Sequence, residues 1–332
     1  MSSIDDGGEG TSDHTIGVLA MAYGTAAGSD DVERYYTDIR GGRPPSSEHL
    51  SDLKARYAAI GNRFPLLEIT RRQAEGLERE LNGEGSGRRF RVYLGMKHSP
   101  PFISEGVAEM RSARIEQGVG LVLAPHWSGM SVETYVERVE KALAEGGPPF
   151  TFVREWYDHP SFVDLLTSRV SEALGKLGRR DREGAAVIFS AHSLPTRELP
   201  DGTLRCKACD FCPQGCRYVA QLQQTADLVA GRLGLENYLI GWQSAGRTPD
   251  PWWGPSVEEA IRELAAAGHR GVVVCSAGFV SDHLETLYDL DVQARRAAEE
   301  AGIRFERTEM PNDDPAFIRV LAAVIRDHLA TS

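Results

Sequence analysis

Apolar residues in this chain gather into short unbroken runs, separated by stretches whose apolar positions recur three and four apart. Runs at 16–22, 90–94, 120–124, 150–154, 187–191, 238–242, 271–276 and 304–307 predict strands. Their near-continuous hydrophobicity, in place of strict alternation, is that of strands buried on both faces. The intervening spacing predicts helices over 30–39, 51–60, 69–81, 105–117, 131–143, 161–177, 218–233, 256–267, 282–301 and 315–329. Strands alternating with helices of this length predict an α/β fold with a parallel sheet covered on both sides. The pattern restarts after the helix at 161–177, so the expectation is two doubly wound, Rossmann-like domains facing across a cleft. They would span 15–160 and 161–330, with a cysteine-rich insertion at 203–217 and a disordered, acidic, glycine-rich tail at 1–14. An internal echo fits duplication. Residues 121–128 precede Glu133-Thr134-Tyr135 much as 272–279 precede Glu285-Thr286-Leu287, with a one-residue slip.

In open α/β sheets, ligands bind at the carboxyl ends of strands. The run at 187–191 stops at His192, and Pro195 forbids continuation of a central strand. A lone histidine there is more often packed or solvated than catalytic. Tyr23, His98, His126, His192 and the Gly278 turn all lie at such ends, however, and are predicted to line one cleft. On a helix, Asp282, Glu285 and Asp289 fall at i, i+3 and i+7, one acidic stripe. A solvated face favoured by the helix dipole competes with a row of oxygen ligands that relays a divalent cation inward. A histidine with a carboxylate suits Fe²⁺, Zn²⁺ or Co²⁺ better than Ca²⁺. No GxGxxG or GxxxxGK[ST] is present, which leaves dinucleotide and P-loop sites without support.

A net charge of −11 argues against nucleic acid and anionic membrane surfaces as partners. No apolar run approaches the roughly 18–20 residues of a membrane span. The first 14 residues have neither the basic start nor the apolar core of a signal peptide, so a cytoplasmic protein is expected. Four of the five cysteines, Cys206, Cys209, Cys212 and Cys216, crowd into eleven residues. In a cytoplasmic chain, so tight a quartet points to a metal site and not to disulfides. Its C-x2-C-x2-C-x3-C spacing is that of bacterial ferredoxin clusters, with Arg217 where proline usually follows; zinc and a bare redox-active thiol cluster are the alternatives. Cys275, alone in an apolar strand, reads as a small buried hydrophobe. No heptad or self-complementary patch is evident, and a monomer is the default expectation.

Several segments carry a more specific likeness. Ser190-Ala191-His192-Ser193-Leu194-Pro195, Gly241-Trp242-Gln243-Ser244, Thr248-Pro249-Asp250-Pro251-Trp252 and Gly278-Phe279-Val280-Ser281-Asp282-His283-Leu284-Glu285 resemble ferrochelatase. The motifs come in family order, and the likeness runs from about residue 15 to 330. That family inserts Fe²⁺ into a porphyrin late in haem synthesis. Met21-Ala22-Tyr23-Gly24-Thr25 and Arg34-Tyr35-Tyr36-Thr37-Asp38-Ile39-Arg40 resemble its Gram-positive type, which acts on coproporphyrin III. The resemblance implies a lyase that makes Fe-coproporphyrin (coproheme), with protoporphyrin IX as the alternative substrate. From a different class, an iron–sulfur electron carrier or redox sensor would need no His192–Glu285 pair and no Tyr23 at a strand end.

The resemblance also implies roles. His192 and Glu285 hold incoming iron, with His192 accepting a pyrrole proton. Tyr23 ligates iron from the other porphyrin face, and Arg40, Arg56, Tyr57 and Tyr135 contact the macrocycle or its propionates. Where the family has a serine just before a proline, this chain has Phe64 before Pro65, which puts that propionate contact in doubt. Some bacterial ferrochelatases carry a [2Fe-2S] cluster on an internal cysteine segment. The expectation is therefore [2Fe-2S] on Cys206, Cys209, Cys212 and Cys216, ahead of [4Fe-4S] or zinc, with Cys275 not a ligand. An imidazole of ordinary pKa near 6.5 is a suitable base for the inner porphyrin protons, and arginine forks suit propionates.

Overall fold

The computed structural model describes residues 15–83, 88–200, 202, 204–207, 216–246 and 248–331. The 1–14 tail, Cys209 and Cys212 lie outside the described residues. In the first half, β1 (Thr15–Ala22) is followed by α1 (Val32–Ile39), α2 (Ser47–Ala59) and α3 (Leu66–Leu81). Then come β2 (Arg89–Met96), α4 (Ile103–Ser112), β3 (Gln117–Val122), α5 (Val132–Leu143) and β4 (Phe150–Val153). Two helices, α6 (Pro160–Lys176) and the single turn α7 (Arg179–Arg182), lead to β5 (Ala185–His192). A hairpin of β6 (Thr196–Glu198) and β7 (Leu204–Cys206) precedes α8 (Arg217–Leu233), β8 (Tyr238–Gln243), α9 (Val257–Ala266) and β9 (Gly271–Ser276). A π-helical segment (Thr286–Ala294) runs into α10 (Arg295–Ala301), and β10 (Arg304–Arg307) and α11 (Pro315–Thr331) follow.

The two four-stranded sheets are ordered β2-β1-β3-β4 and β8-β5-β9-β10. Every pairing within them is parallel. Counted within its own half, each sheet has the order 2-1-3-4. This shared topology is what the internal echo in the sequence would leave behind. It also puts the switch points, where successive crossovers diverge, at β1/β3 and β5/β9. Tyr23 follows β1, His192 ends β5, and Glu285 lies beyond β9. Gly278 brings the loop after β9 against the end of β5, since a Cβ there would stand 2.5 Å from the Ala191 side chain.

Buried on both faces, β9 and the interior of β5 are continuous core. One buried cluster joins the two halves: Val18 and Phe90 belong to it, as do Val187, Phe189, Phe162, Phe317 and Leu321. The last helix turns back to the first half, with Ile318 over Gly76 on α3 and His328 Nε2 2.9 Å from Thr151 Oγ1 on β4. Among the described residues no helix is long and apolar enough to cross a membrane.

Several elements depart from the sequence pattern. The helix expected over 105–117 stops at Ser112, because Arg114 takes a left-handed φ of 55° and the Ile115 N–H closes onto the Met110 carbonyl. The helix expected from 51 begins at Ser47, where the Ser46 hydroxyl accepts from the His49 N–H as an N-cap. The β6–β7 hairpin was not expected, since Thr196-Arg197-Glu198 has no apolar alternation to announce a strand.

Phe189 is fully buried in the central strand β5. Phe189→Ala is expected to lower unfolding stability by about 3–5 kcal/mol, read from the denaturation midpoint at unchanged slope.

Candidate active site

His192 is delivered where β5 ends, and its backbone is held on several sides. The Ser193 N–H donates to the Gln243 carbonyl (2.7 Å), the Ser193 hydroxyl to the Trp253 carbonyl (2.8 Å), and the Tyr218 hydroxyl to the His192 carbonyl (3.2 Å). The ring's Nδ1 faces the Ser193 carbonyl, a partner that can only accept, so Nδ1 keeps the proton of the neutral ring. Nε2, 3.8 Å from Glu285 Oε1, is then the nitrogen open to a proton, and the two groups form an ion pair when it takes one. On the carboxylate's other side, Oε2 is 3.7 Å from His283 Nε2, and His283 Nδ1 bonds the Ser281 carbonyl at 2.9 Å.

Burial pushes the Glu285 carboxyl up, but His192, His283 and the Ser244 hydroxyl pull it down further, to about 2. It is therefore a carboxylate at any physiological pH. Burial opposes charge on His283, and the bond to Glu285 outweighs it and raises that imidazole. Asp289, only 6% exposed, is raised to about 7 by burial and by the charge on Glu285. Ser244, in a left-handed turn just past β8 (φ 58°), donates to Asp289 Oδ2 at 2.5 Å.

The expected acidic stripe is therefore shorter than its spacing implied. Glu285 and Asp289 share one wall, whereas Asp282 precedes the helix and turns to Arg307 (3.4 Å) and to the Asn312 side-chain amide (2.8 Å). The helix itself is π-helical over Thr286–Ala294, with the Arg295 N–H reaching the Leu290 carbonyl five residues back. Such turns are rare and concentrate at functional sites.

Tyr23, 42% exposed, comes from the first half at the mouth of the cleft. Burial of its hydroxyl end and the Glu285 charge raise its phenol above the usual range, so it stays protonated. Its ring lies 4.6 Å from that of His98, whose Nδ1 is 2.6 Å from Asp38. The Lys97 ammonium sits 5.8 Å from the Tyr23 ring and 5.2 Å from that of Tyr135. Burial, and secondarily Arg138, depress this lysine to about 8. Tyr57 is buried, stacks on Phe64 with centroids 4.3 Å apart, and is raised to about 12 by burial. Arg56 lies 5.4 Å from the Tyr288 ring on the π-helical segment, and Arg40 closes α1 beside Tyr36 (5.9 Å). One strand-end residue is not in the cleft. His126 is 2% exposed, pushed down to about 3 by burial, and bonded to Thr225 on α8.

Sequence reasoning missed His283, Ser244, Lys97 and Asp38 as members of this site. Adjacency to Glu285 and His98 signalled His283 and Lys97. Nothing local marks Asp38 or the turn at Ser244.

Cys206 ends β7 and Cys216 caps α8, with their sulfurs 2.8 Å apart. The bond to Cys206 lowers the Cys216 thiol to about 7, toward the thiolate that metals and clusters bind. Among the described residues no group of three or more histidine, cysteine or acidic side chains is arranged to hold a metal ion.

Two parallel sheets with a carboxylate–imidazole cluster at one switch point define a chelatase-like α/β protein. The sirohydrochlorin chelatase SirB of Bacillus subtilis subspecies spizizenii, solved with cobalt, shares this fold. It has a TM-score of 0.53 at 8% identity, with 94% of each chain covered. DR2241 of Deinococcus radiodurans, described as similar to chelatases, has a TM-score of 0.53 at 10% identity, covering 94% of this chain and 55% of that one. The family model Ferrochelatase matches residues 15–329. The coproporphyrin III ferrochelatase of Anoxybacillus flavithermus is 45% identical over 95% of this chain and 96% of its own length. That of Geobacillus kaustophilus is 44% identical over 94% and 95%. The chain belongs to the ferrochelatase family.

Asp289 has a folded-state pKa above its unfolded value, so the native state binds the extra proton between about pH 4 and 7 and loses stability as pH rises through that window. Asp289→Asn is expected to be the more stable protein at pH 8, by on the order of 3 kcal/mol, with the difference vanishing near pH 4. Denaturation curves at both pH values test this.

Proposed function

We propose that this protein inserts Fe²⁺ into coproporphyrin III, giving Fe-coproporphyrin for haem biosynthesis. The observation that carries the reading is the convergence of His192 Nε2 on an ionised Glu285 at 3.8 Å, in a chain 44–45% identical to coproporphyrin III ferrochelatases. A porphyrin carries two inner N–H protons, and both must leave as Fe²⁺ enters the four nitrogens. Once the iron has passed from it to the ring, His192 Nε2 accepts one pyrrole proton, the carboxylate beside it stabilises the imidazolium that forms, and the second proton leaves to solvent. Glu285 ligates the arriving iron with His192, and Asp289 hands the cation on from the helix side. Tyr23 offers a neutral phenol oxygen from the opposite face. Arg40, Arg56, Tyr57 and Tyr135 hold the macrocycle and its propionates, and Phe64 supplies an apolar stack on Tyr57 where the family has a serine.

Cys206, Cys209, Cys212 and Cys216 hold a [2Fe-2S] cluster in this reading. The two described sulfurs converge, and one thiol is already lowered, which suits thiolate ligation. When bound, such a cluster ties β7 to the start of α8 and supplies a one-electron redox couple. The chain's own part is to present the thiolates.

Anaerobic mixing of protein, porphyrin and Fe²⁺, followed at the Soret band, tests the reaction. Coproporphyrin III is expected to be metallated with a higher kcat/KM than protoporphyrin IX, and the reverse order would overturn the substrate assignment. His192→Ala is expected to lower kcat by about 10²–10⁴ while porphyrin binding survives. Purified protein should be brown with matching iron and sulfide, whereas a colourless, zinc-loaded protein would reject the cluster.

A further inference from the structure

The wide turn of Thr286–Ala294 needs something to hold it, because an α-helix is the ordinary outcome for such a sequence. Arg307, at the end of the edge strand β10, packs against this segment with its side chain 14% exposed. Its Nε and Nη2 donate to the two oxygens of Asp291, at 2.7 and 2.9 Å, in a forked pair. The same Nη2 also reaches Asp282 Oδ1 at 3.4 Å. One guanidinium therefore touches a carboxylate just ahead of the helix and another inside its π-helical part. Glu285 and Asp289 lie on the arc between those two points.

The near end of the arc is anchored again. Asn312, in a left-handed conformation (φ 44°), accepts from the Asp282 N–H and donates to its Oδ2, both at 2.8 Å. Gln73 on α3 donates to the Asn312 carbonyl (2.7 Å) and the Ser281 hydroxyl (2.9 Å), so the first half of the chain steadies the same loop. His283 hangs from that loop through the Ser281 carbonyl.

We infer that Arg307 is a positioning residue for the incoming iron: by tying Asp282 to Asp291 it fixes the arc that carries Glu285 and Asp289. The inference rests on the iron route through those two carboxylates proposed above. Asp282 thereby has a role other than relaying the cation, since its oxygens are already engaged by Arg307 and Asn312. Arginine suits this position because only a planar fork can pair one carboxylate at two points and still reach a second. Lysine would supply the charge without the geometry.

The test compares wild type with Arg307→Gln, Arg307→Lys and Asp291→Asn. Fe²⁺ is titrated at saturating coproporphyrin III, and the porphyrin at saturating Fe²⁺. Thermal melts and quenching of intrinsic fluorescence by coproporphyrin III report folding and porphyrin binding separately. For Arg307→Gln the KM for Fe²⁺ is expected to rise by about 10–100-fold, the range found when partners that orient a metal's ligands are lost, with the porphyrin KM unchanged. Arg307→Lys should recover less than half of that change on a logarithmic scale, and Asp291→Asn should shift the iron KM the same way. Should Arg307→Gln fail to fold, Asp291→Asn decides, since it keeps the contact between Arg307 and Asp282. Folded variants whose iron and porphyrin constants move together, or not at all, would overturn the inference. A wild-type protein that metallates no porphyrin would instead overturn the proposed function, and this inference with it.

Discussion

The negative charge on Glu285 is the constraint around which the cleft is organised. Its side chain is one-third exposed, and two imidazoles and a hydroxyl outweigh the burial that would favour the protonated acid. Once ionised, it sets the state of its neighbours. It raises His283 toward the cation, holds a proton on Asp289 up to near neutrality, and adds to the burial that keeps Tyr23, Tyr35 and Tyr57 as neutral phenols. The cluster therefore sets one committed anion beside one carboxyl that can release a proton.

Topology explains why these groups meet. Parallel strands send all their carboxyl ends the same way, and the 2-1-3-4 order opens a crevice beside the first strand of each half. Tyr23 leaves one such strand and His192 the other, while the loop from β9 crosses close to His192 because Gly278 lets it lie on Ala191. The same architecture holds the strands of Tyr23 and His192 by their neighbours on either side, so the cleft's geometry is inherited from the core.

Much of this was legible in the sequence, for a physical reason. Strands buried on both faces must be apolar throughout, so β5, β8, β9 and β10 declare themselves within a residue or two. His192 and Tyr23 could be read because each interrupts such a run. Features set by backbone conformation were not legible. Nothing in Asp282-His283-Leu284-Glu285 announces that the helix begins after Asp282 or that its next turns are π-helical, and an α-helical wheel therefore placed Asp282 on the wrong side. His126 shares the strand-end signature of His192, yet α8 covers it, a tertiary fact that no local pattern carries. The partnership of Ser244 with Asp289 likewise depends on a left-handed turn meeting a distant helix.

The return of α11 to the first half has a consequence for how the chain acquires its structure during synthesis. Phe317, Leu321 and Ile325 fill a core that Ile16, Val18, Leu77 and Phe90 otherwise leave open. The core shared by the two halves is therefore complete only once residues 315–331 have been made. Loss of that helix would open the core of the first half as much as that of the second.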